Sequence, residues 1–258
     1  MNEIEKYYNK FNEHKRLLSR HGQVEFTVTM KYIEQCINNR KNLNILDVGA
    51  GTGRYSSALY ELGHNVTAVE LVKKNLSVLK ENYPNITAIQ GNALNLKKIK
   101  DDSFDITLLF GPMYHLFSEE DKLQALSEAK RVTKKGGYIL VAYLMNEYAV
   151  ITYAFKEGNL MKCINENKLS NDFKCLTDEK DLYSYIRLKG INSLNEKANL
   201  KREIIIAVDG ATDYIRPIIN KMSEEEFKIY LDYQMSICQL PEILGASSHT
   251  LDILINTK

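Results

Sequence analysis

Ile45-Leu46-Asp47-Val48-Gly49-Ala50-Gly51-Thr52-Gly53 is the stretch whose reading decides how this chain folds. The apolar run over residues 43–48 reads as a buried strand, and it ends directly in glycines at alternate positions. Beyond them Tyr55, Ala58, Leu59 and Leu62 fall at helical spacing, and Gly63 stops the pattern. A strand that turns through glycines into a helix brings bare backbone and a helix N-terminus up to a ligand, because glycine has no side chain to block the approach.

The same alternation continues outward. Residues 66–71 predict a strand, 73–82 a helix closed off by Pro84, 86–90 a strand, 104–110 a strand and 119–132 a helix. A turn at Lys134-Lys135-Gly136-Gly137 then leads into a strand over 138–144. Strands and helices in strict alternation imply a mostly parallel sheet with helices on both faces. After Met145 the rhythm changes: residues 147–169 and 178–189 predict helices, 202–208 a strand, 211–221 and 224–238 helices, and 249–255 a final strand. That makes a seven-stranded α/β architecture. Two helical stretches, 2–18 and 24–37, precede the first strand. No repeat, low-complexity tract or linker divides the chain, so 1–258 reads as a single domain. Its parts are an N-terminal helical lid (1–40), a core (41–145), cap insertions (146–177 and about 210–247) and the last strand (248–258). Ligands of open α/β sheets bind at the carboxyl ends of the strands, under such a cap.

Composition narrows the partners. The 258 residues carry a formal net charge of +1 with Lys and Arg scattered, which gives no electrostatic footprint for a polyanion and makes nucleic acid an unlikely partner. No apolar run is long enough to span a bilayer, and the start of the chain lacks the pattern of a secretory signal, so a cytoplasmic protein is expected. Cys36, Cys163, Cys175 and Cys238 stand far apart, and His14, His64 and His249 lack metal-ligand spacing, so no metal is expected.

The glycine cluster itself discriminates between ligands. A dinucleotide fingerprint needs a small residue at the last place of G-x-G-x-x-G, where this chain has Arg54; its third glycine falls one residue early, at Gly53. The segment 45–53 instead resembles motif I of the class I S-adenosylmethionine (SAM)-dependent methyltransferases, in their small-molecule-type bacterial form, and the resemblance runs from about residue 42 to 144. It implies a Rossmann-like fold, with SAM as cofactor and S-adenosylhomocysteine as product. It also implies that Asp47 organises the methionine end of SAM, above the backbone of Gly49, Ala50, Gly51 and Gly53. Glu70, ending the second strand, would bind both ribose hydroxyls, as a carboxylate's two oxygens suit a vicinal diol. Asn92 would meet the adenine amino group, and Leu71, Ala93 and Phe110 complete the expected cofactor surface. Arg20 is expected to pair with the SAM carboxylate, with Arg54 competing for that role.

Methyl transfer from a sulfonium is an in-line displacement, so positioning is the enzyme's main task, and a base is needed only for a protonated nucleophile. The loop after the fourth strand, Phe110-Gly111-Pro112-Met113-Tyr114-His115-Leu116, offers Tyr114 and His115 as catalytic candidates: the imidazole as proton acceptor, the phenol to orient the acceptor. That loop lacks the Asp/Asn-Pro-Pro-Tyr signature of amino-directed nucleic-acid methyltransferases. A small-molecule acceptor is therefore expected. The alternatives are an RNA or protein methyltransferase, favoured if Lys130, Arg131, Lys134 and Lys135 cluster beside the site, and a non-catalytic SAM-binding module. No motif identifies the acceptor atom or the oligomeric state.

Overall fold

The computed structural model describes residues 19–258, and the expected helix over 2–18, with His14, lies outside the described residues. Seven strands, β1 (Asn44–Val48), β2 (Asn65–Glu70), β3 (Thr87–Gln90), β4 (Phe104–Leu109), β5 (Thr133–Leu144), β6 (Lys201–Ala207) and β7 (His249–Ile255), form one sheet in the order β3-β2-β1-β4-β5-β7-β6. β7 runs antiparallel to both neighbours, and the other pairs are parallel. The expected mostly parallel sheet is thus observed.

Alternation along the strands builds a core on each face. Ile45, Ile106 and Leu140 enter one apolar cluster with Val24, Val28 and Ile33. Their neighbours Leu46, Ile139 and Val141 enter the other, with Leu126, Ala129 and Leu194. Successive side chains of a strand point to opposite faces, so a run apolar at every position needs helices on both sides. Those helices are α1 (Arg20–Ile37), α2 (Arg54–Glu61), α3 (Lys73–Asn82) and α4 (Glu119–Val132), followed by the shorter α5 (Asn146–Ala149), α6 (Leu160–Asn165), α7 (Leu188–Lys197) and α8 (Arg216–Ile219), then α9 (Glu224–Ile237).

The chain leaves β1 in one direction toward β2 and returns on the other side as β4, with Val48 beside both Val69 and Leu109 in register. The sheet therefore has its switch point at the carboxyl end of β1, where the two connections part and leave a crevice.

Four local expectations are corrected. The Lys134–Gly137 turn is absent as a turn: those residues belong to β5, and the ladder slips between Phe104 and Ile106 as a bulge, with Gly136 at φ +73° donating to the Asn256 carbonyl at 2.8 Å. The helix expected over 147–169 breaks into α5, a π-helical segment (Val150–Lys156) and α6, with Gly158 at φ +75° interrupting it. No helix covers 178–187. Ile186 instead pairs with the end of β5, donating to the Leu144 carbonyl and accepting from Asn146, both at 3.0 Å, while Ser184 donates to Tyr114 at 2.8 Å. Backbone groups spent on a sheet edge are lost to a helix, and the helix starts only at Leu188. The stretch 211–221 likewise keeps only α8. No helix among the described residues is long and apolar enough to cross a membrane.

Candidate active site

A cavity of about 250 Å³ opens at the switch point, lined by the turn after β1, the end of β2, the start of the β3–β4 connection, the loop after β4, and Glu25 of α1. Asp47, Gly49, Ala50, Gly51, Glu70 and Leu71 lie on its wall, as do Asn92, Ala93, Phe110, Tyr114 and His115.

Glu70 anchors the arrangement. Its Oε2 accepts the Gly51 N–H at 2.8 Å and its Oε1 the Val72 N–H at 2.7 Å. Those two bonds tie the glycine turn to the end of β2, and Asn75 and the Leu71 N–H add to the donors around the carboxylate. Burial raises the Glu70 pKa, against the lowering pull of the N–H donors and Asn75. Gly51 has φ +58°, and a Cβ built there would meet no atom within 4 Å. Its position thus presents open, bare backbone, the cradle an adenosyl ligand requires, and the carboxylate beside it fits a ribose diol.

Asp47 is buried, and its Oδ2 accepts the Ser56 hydroxyl of α2 at 2.6 Å. Desolvation pushes its pKa up to about 6, with Glu70 adding to the rise and Ser56 opposing it. Phe110 closes the floor: its ring meets Tyr55 edge-on at 5.0 Å, and Tyr55 meets Phe26 of α1 at 5.2 Å. This aromatic ladder lays α1 across the cavity, so that Glu25 faces in. Such ring pairs contribute beyond their buried area.

Several expectations move. Arg20 does not reach the cavity: its guanidinium pairs with Glu224 and lies over the Phe227 ring at 5.4 Å, both on α9. Arg54 takes a place on the wall instead, over the Phe26 ring at 4.2 Å. Gly53 is not on the wall either. It opens α2 at φ +91°, and a Cβ there would meet Leu79 Cγ at 2.8 Å, so its role is packing. Asn92 reaches the cavity, but its Oδ1 also accepts the Leu94 N–H at 3.0 Å.

His115 departs from the chemistry expected of it. Its Nδ1 bonds the Leu182 carbonyl at 2.9 Å, so this nitrogen carries the proton. Burial depresses its pKa to about 4, leaving a neutral, weakly basic imidazole. The ring stacks with Tyr183 and Tyr114 at 5.4 and 5.0 Å. Behind them Lys122, buried on α4, donates to the Leu116 carbonyl and to Ser184 Oγ at 2.9 Å and so fixes the loop.

Glu25, Asp209 and His249 were invisible as a group in the sequence. Among the described residues their ligand-capable atoms lie within 4.8 Å of one another, on α1, after β6 and at the start of β7. His249 Nδ1 meets Asp209 Oδ2 at 2.6 Å, and its ring lies 6.3 Å from that of Tyr114. No local spacing could have signalled this group, since only tertiary packing joins positions so far apart.

Comparison with known proteins agrees with this geometry. Residues 46–141 match the family described as "Methyltransferase domain". No curated protein matches the chain. Among solved structures, a SAM-dependent methyltransferase from Thermotoga maritima, described as a possible histamine N-methyltransferase, is similar at TM-score 0.57 and 17% identity, over 98% of this chain and 97% of that one. A TehB-like SAM-dependent methyltransferase from Corynebacterium glutamicum is similar at TM-score 0.56 and 12% identity, over 97% of each chain. A Haloferax volcanii structure of a methyltransferase in complex with the Trm112 activator gives 0.58 and 12%, over 100% of this chain and 99% of that one.

Proposed function

We propose that the chain, whose residues 46–141 match a methyltransferase domain, is a class I SAM-dependent methyltransferase that methylates a small-molecule acceptor, by in-line displacement, in the space between Tyr114 and α1. SAM, when bound, supplies an electrophilic methyl carbon on a sulfonium. The protein's residues hold and align. Glu70 takes the ribose hydroxyls on its cavity-side lone pairs, the Ala50–Gly51 backbone lies under the methionine end, Leu71, Asn92 and Ala93 border the base, and Arg54 is the cation nearest for a carboxylate. Asp47 supports the turn through Ser56 and faces the positive end of the ligand.

The observation that carries this reading is Glu70, bonded to the glycine turn and lining the cavity. A small acceptor is supported by where the basic residues went. Lys130 donates to the Ala198 and Asn199 carbonyls, Arg131 to Glu128 and Asp101, and Lys134 to Asp105, all at the amino end of β5, opposite the cavity. A polyanion at the cavity would find none of them. The T. maritima neighbour's description names a small amine acceptor, in keeping with this reading.

Calorimetric titration with SAM and S-adenosylhomocysteine, with NAD as control, tests the cofactor half. Binding of both adenosyl ligands and not of NAD is expected, and silence from both overturns the reading. Release of S-adenosylhomocysteine on incubation with a low-molecular-weight metabolite extract, but not with RNA or protein fractions, tests the acceptor half. The reverse pattern would transfer the protein to the macromolecular class.

A further inference from the structure

Apart from the cavity at the switch point, we propose that the cap holds a second small-molecule site, which takes a neutral, planar aromatic ligand bearing a hydroxyl group. This inference stands independently of the methyl-transfer reading above.

The site begins with the way the chain continues beyond β5. Residues 150–156 are wound as a π-helix, and the Glu157 N–H reaches back to the Thr152 carbonyl at 2.9 Å. Widened turns of this kind are rare and frequently mark functional sites. This one supplies Val150, Tyr153 and Ala154 to a cavity of about 410 Å³, bounded elsewhere by α6 and by side chains from residues 168–185. No residue lines both this cavity and the one at the switch point. Tyr153, 45% exposed, and the exposed Lys162 and Glu166 stand where the cavity meets solvent, so a ligand enters without crossing the cofactor's place.

The lining gives the ligand's class. Three rings, those of Tyr153, Tyr183 and Tyr185, border the cavity together with the aliphatic Val150, Leu169 and Leu182. Such a wall suits a flat ring, which gains from edge-on and offset contacts beyond the area it buries. The charges cancel. Lys168 is paired with Asp181 at 2.7 Å, and Lys162 and Glu166 contribute one charge of each sign. Burial pushes the Cys175 thiol up to about 11, so it is neutral at pH 7. An ion would leave water here for no net opposite charge, which disfavours a carboxylate and an ammonium alike.

Tyr185 supplies the polar contact. It is partly buried, and its hydroxyl has no hydrogen-bond partner among the described residues. Burial, and after it Cys175, Asp181 and Tyr153, raise its pKa above that of an ordinary phenol. Those three groups all line the cavity, so the protonated hydroxyl lies among them. A donor without a partner in such a place costs free energy that a ligand oxygen recovers.

The inner wall of the cavity is shared with the loop after β4. The Leu182 carbonyl accepts from His115 Nδ1 at 2.9 Å, and the Tyr183 ring meets those of His115 and Tyr114 at 5.4 and 5.9 Å. A ring seated against Tyr183 is thus one aromatic layer away from the cavity at the switch point.

The test titrates the full chain, by ligand-detected NMR, with 4-ethylphenol, cyclohexanol, benzoate and benzylammonium. The phenol should bind tightest of the four. Tyr185→Phe keeps the ring and removes only the hydroxyl, and should weaken 4-ethylphenol about two- to tenfold, the range of one hydrogen bond. Ala154→Leu fills the cavity and should abolish binding; where it fails to fold, Tyr185→Phe decides alone. Saturating S-adenosylhomocysteine should leave the phenol's affinity unchanged. No binding of 4-ethylphenol, equal binding of either charged probe, or equal binding to Tyr185→Phe overturns the proposal. So does displacement by S-adenosylhomocysteine, which would put the phenol at the switch point. If S-adenosylhomocysteine itself does not bind, the methyl-transfer reading falls, and the probe series and Tyr185→Phe still decide this one.

Discussion

The Gly51 N–H donates to Glu70 Oε2 at 2.8 Å, joining the glycine turn to the tip of the neighbouring strand before any ligand arrives. Glu70 is thus a structural residue that also lines the cavity. Glu70→Ala orphans the Gly51 and Val72 N–H groups, so it should lower stability by about 1–3 kcal/mol as well as weaken SAM binding. Glu70→Gln keeps a carbonyl oxygen for one of them and should recover much of the stability but little of the affinity. Thermal melts paired with SAM titrations check this, and unchanged SAM affinity in both variants would remove Glu70 from the ribose site.

Two glycines of the turn separate binding from folding. Gly51→Ala meets open space, so its cost is a left-handed backbone, about 1–2 kcal/mol, plus a methyl group in the ligand's place. Gly53→Ala would drive a methyl into Leu79 and Tyr83 at φ +91°. The expected outcome is a folded Gly51→Ala with impaired SAM binding, and a Gly53→Ala whose melting temperature falls the further. The opposite order in melting temperature would contradict the geometry.

Asp47 links pH to stability. Its pKa is raised to about 6 by burial, so the folded protein holds this proton more tightly than the unfolded chain does. That contribution is fully present below the ordinary Asp range and is lost as pH rises through about 6. At neutral pH the ionised, buried carboxylate costs stability. Asp47→Asn can still accept from Ser56 and should melt no lower than wild type at pH 7.5, with a gain of up to about 1–3 kcal/mol, yet bind SAM more weakly. A variant that is destabilised at pH 7.5 would show the burial cost to be offset elsewhere.

His115 provides a negative expectation. With its pKa held near 4 by burial, it stays neutral from pH 5.5 upward on the ~1-unit scale over which a group titrates, so no inflection of turnover near pH 7 belongs to it. His115→Asn, whose amide can donate to the Leu182 carbonyl in place of Nδ1, should retain the wild-type pH–rate profile. An inflection near neutrality that vanishes in His115→Asn would restore it as the base.

How much of this was readable from residues alone follows from where each signal lives. Ile45, Leu46 and Val48 are buried on both sheet faces, so β1 announced itself as a short apolar run broken only by Asp47, and the glycines after it sit where a tight turn needs bare backbone. Glu70 and Asp47 lie within that local grammar. Arg20 did not: a long cation near the N-terminus can pair with any acid the fold brings up, and α9 brought Glu224. The segment 178–187 has helical composition, but the edge beside β5 claimed its backbone groups. Glu25, Asp209 and His249 carry no local pattern at all, because α1, β6 and β7 meet only once the sheet has formed.

The far side of that sheet supplies a prediction independent of catalysis. Asp252, wholly buried on β7, accepts Arg202 Nε and Nη2 at 2.6 and 2.7 Å and Asn195 Nδ2 at 2.7 Å, so one carboxylate pins β6 and α7 to β7. Removing one partner of a buried pair strands the other, which costs about 3–5 kcal/mol, whereas replacing both with apolar groups of similar volume is often neutral. Asp252→Ala should therefore destabilise strongly, and Arg202→Met combined with Asp252→Leu should recover a large part of the loss. Denaturant unfolding of the two single variants and the double variant measures the coupling. Strict additivity of the two single losses would mean that the pair does not act as a unit, and that β6 is held by its ladder to β7 alone.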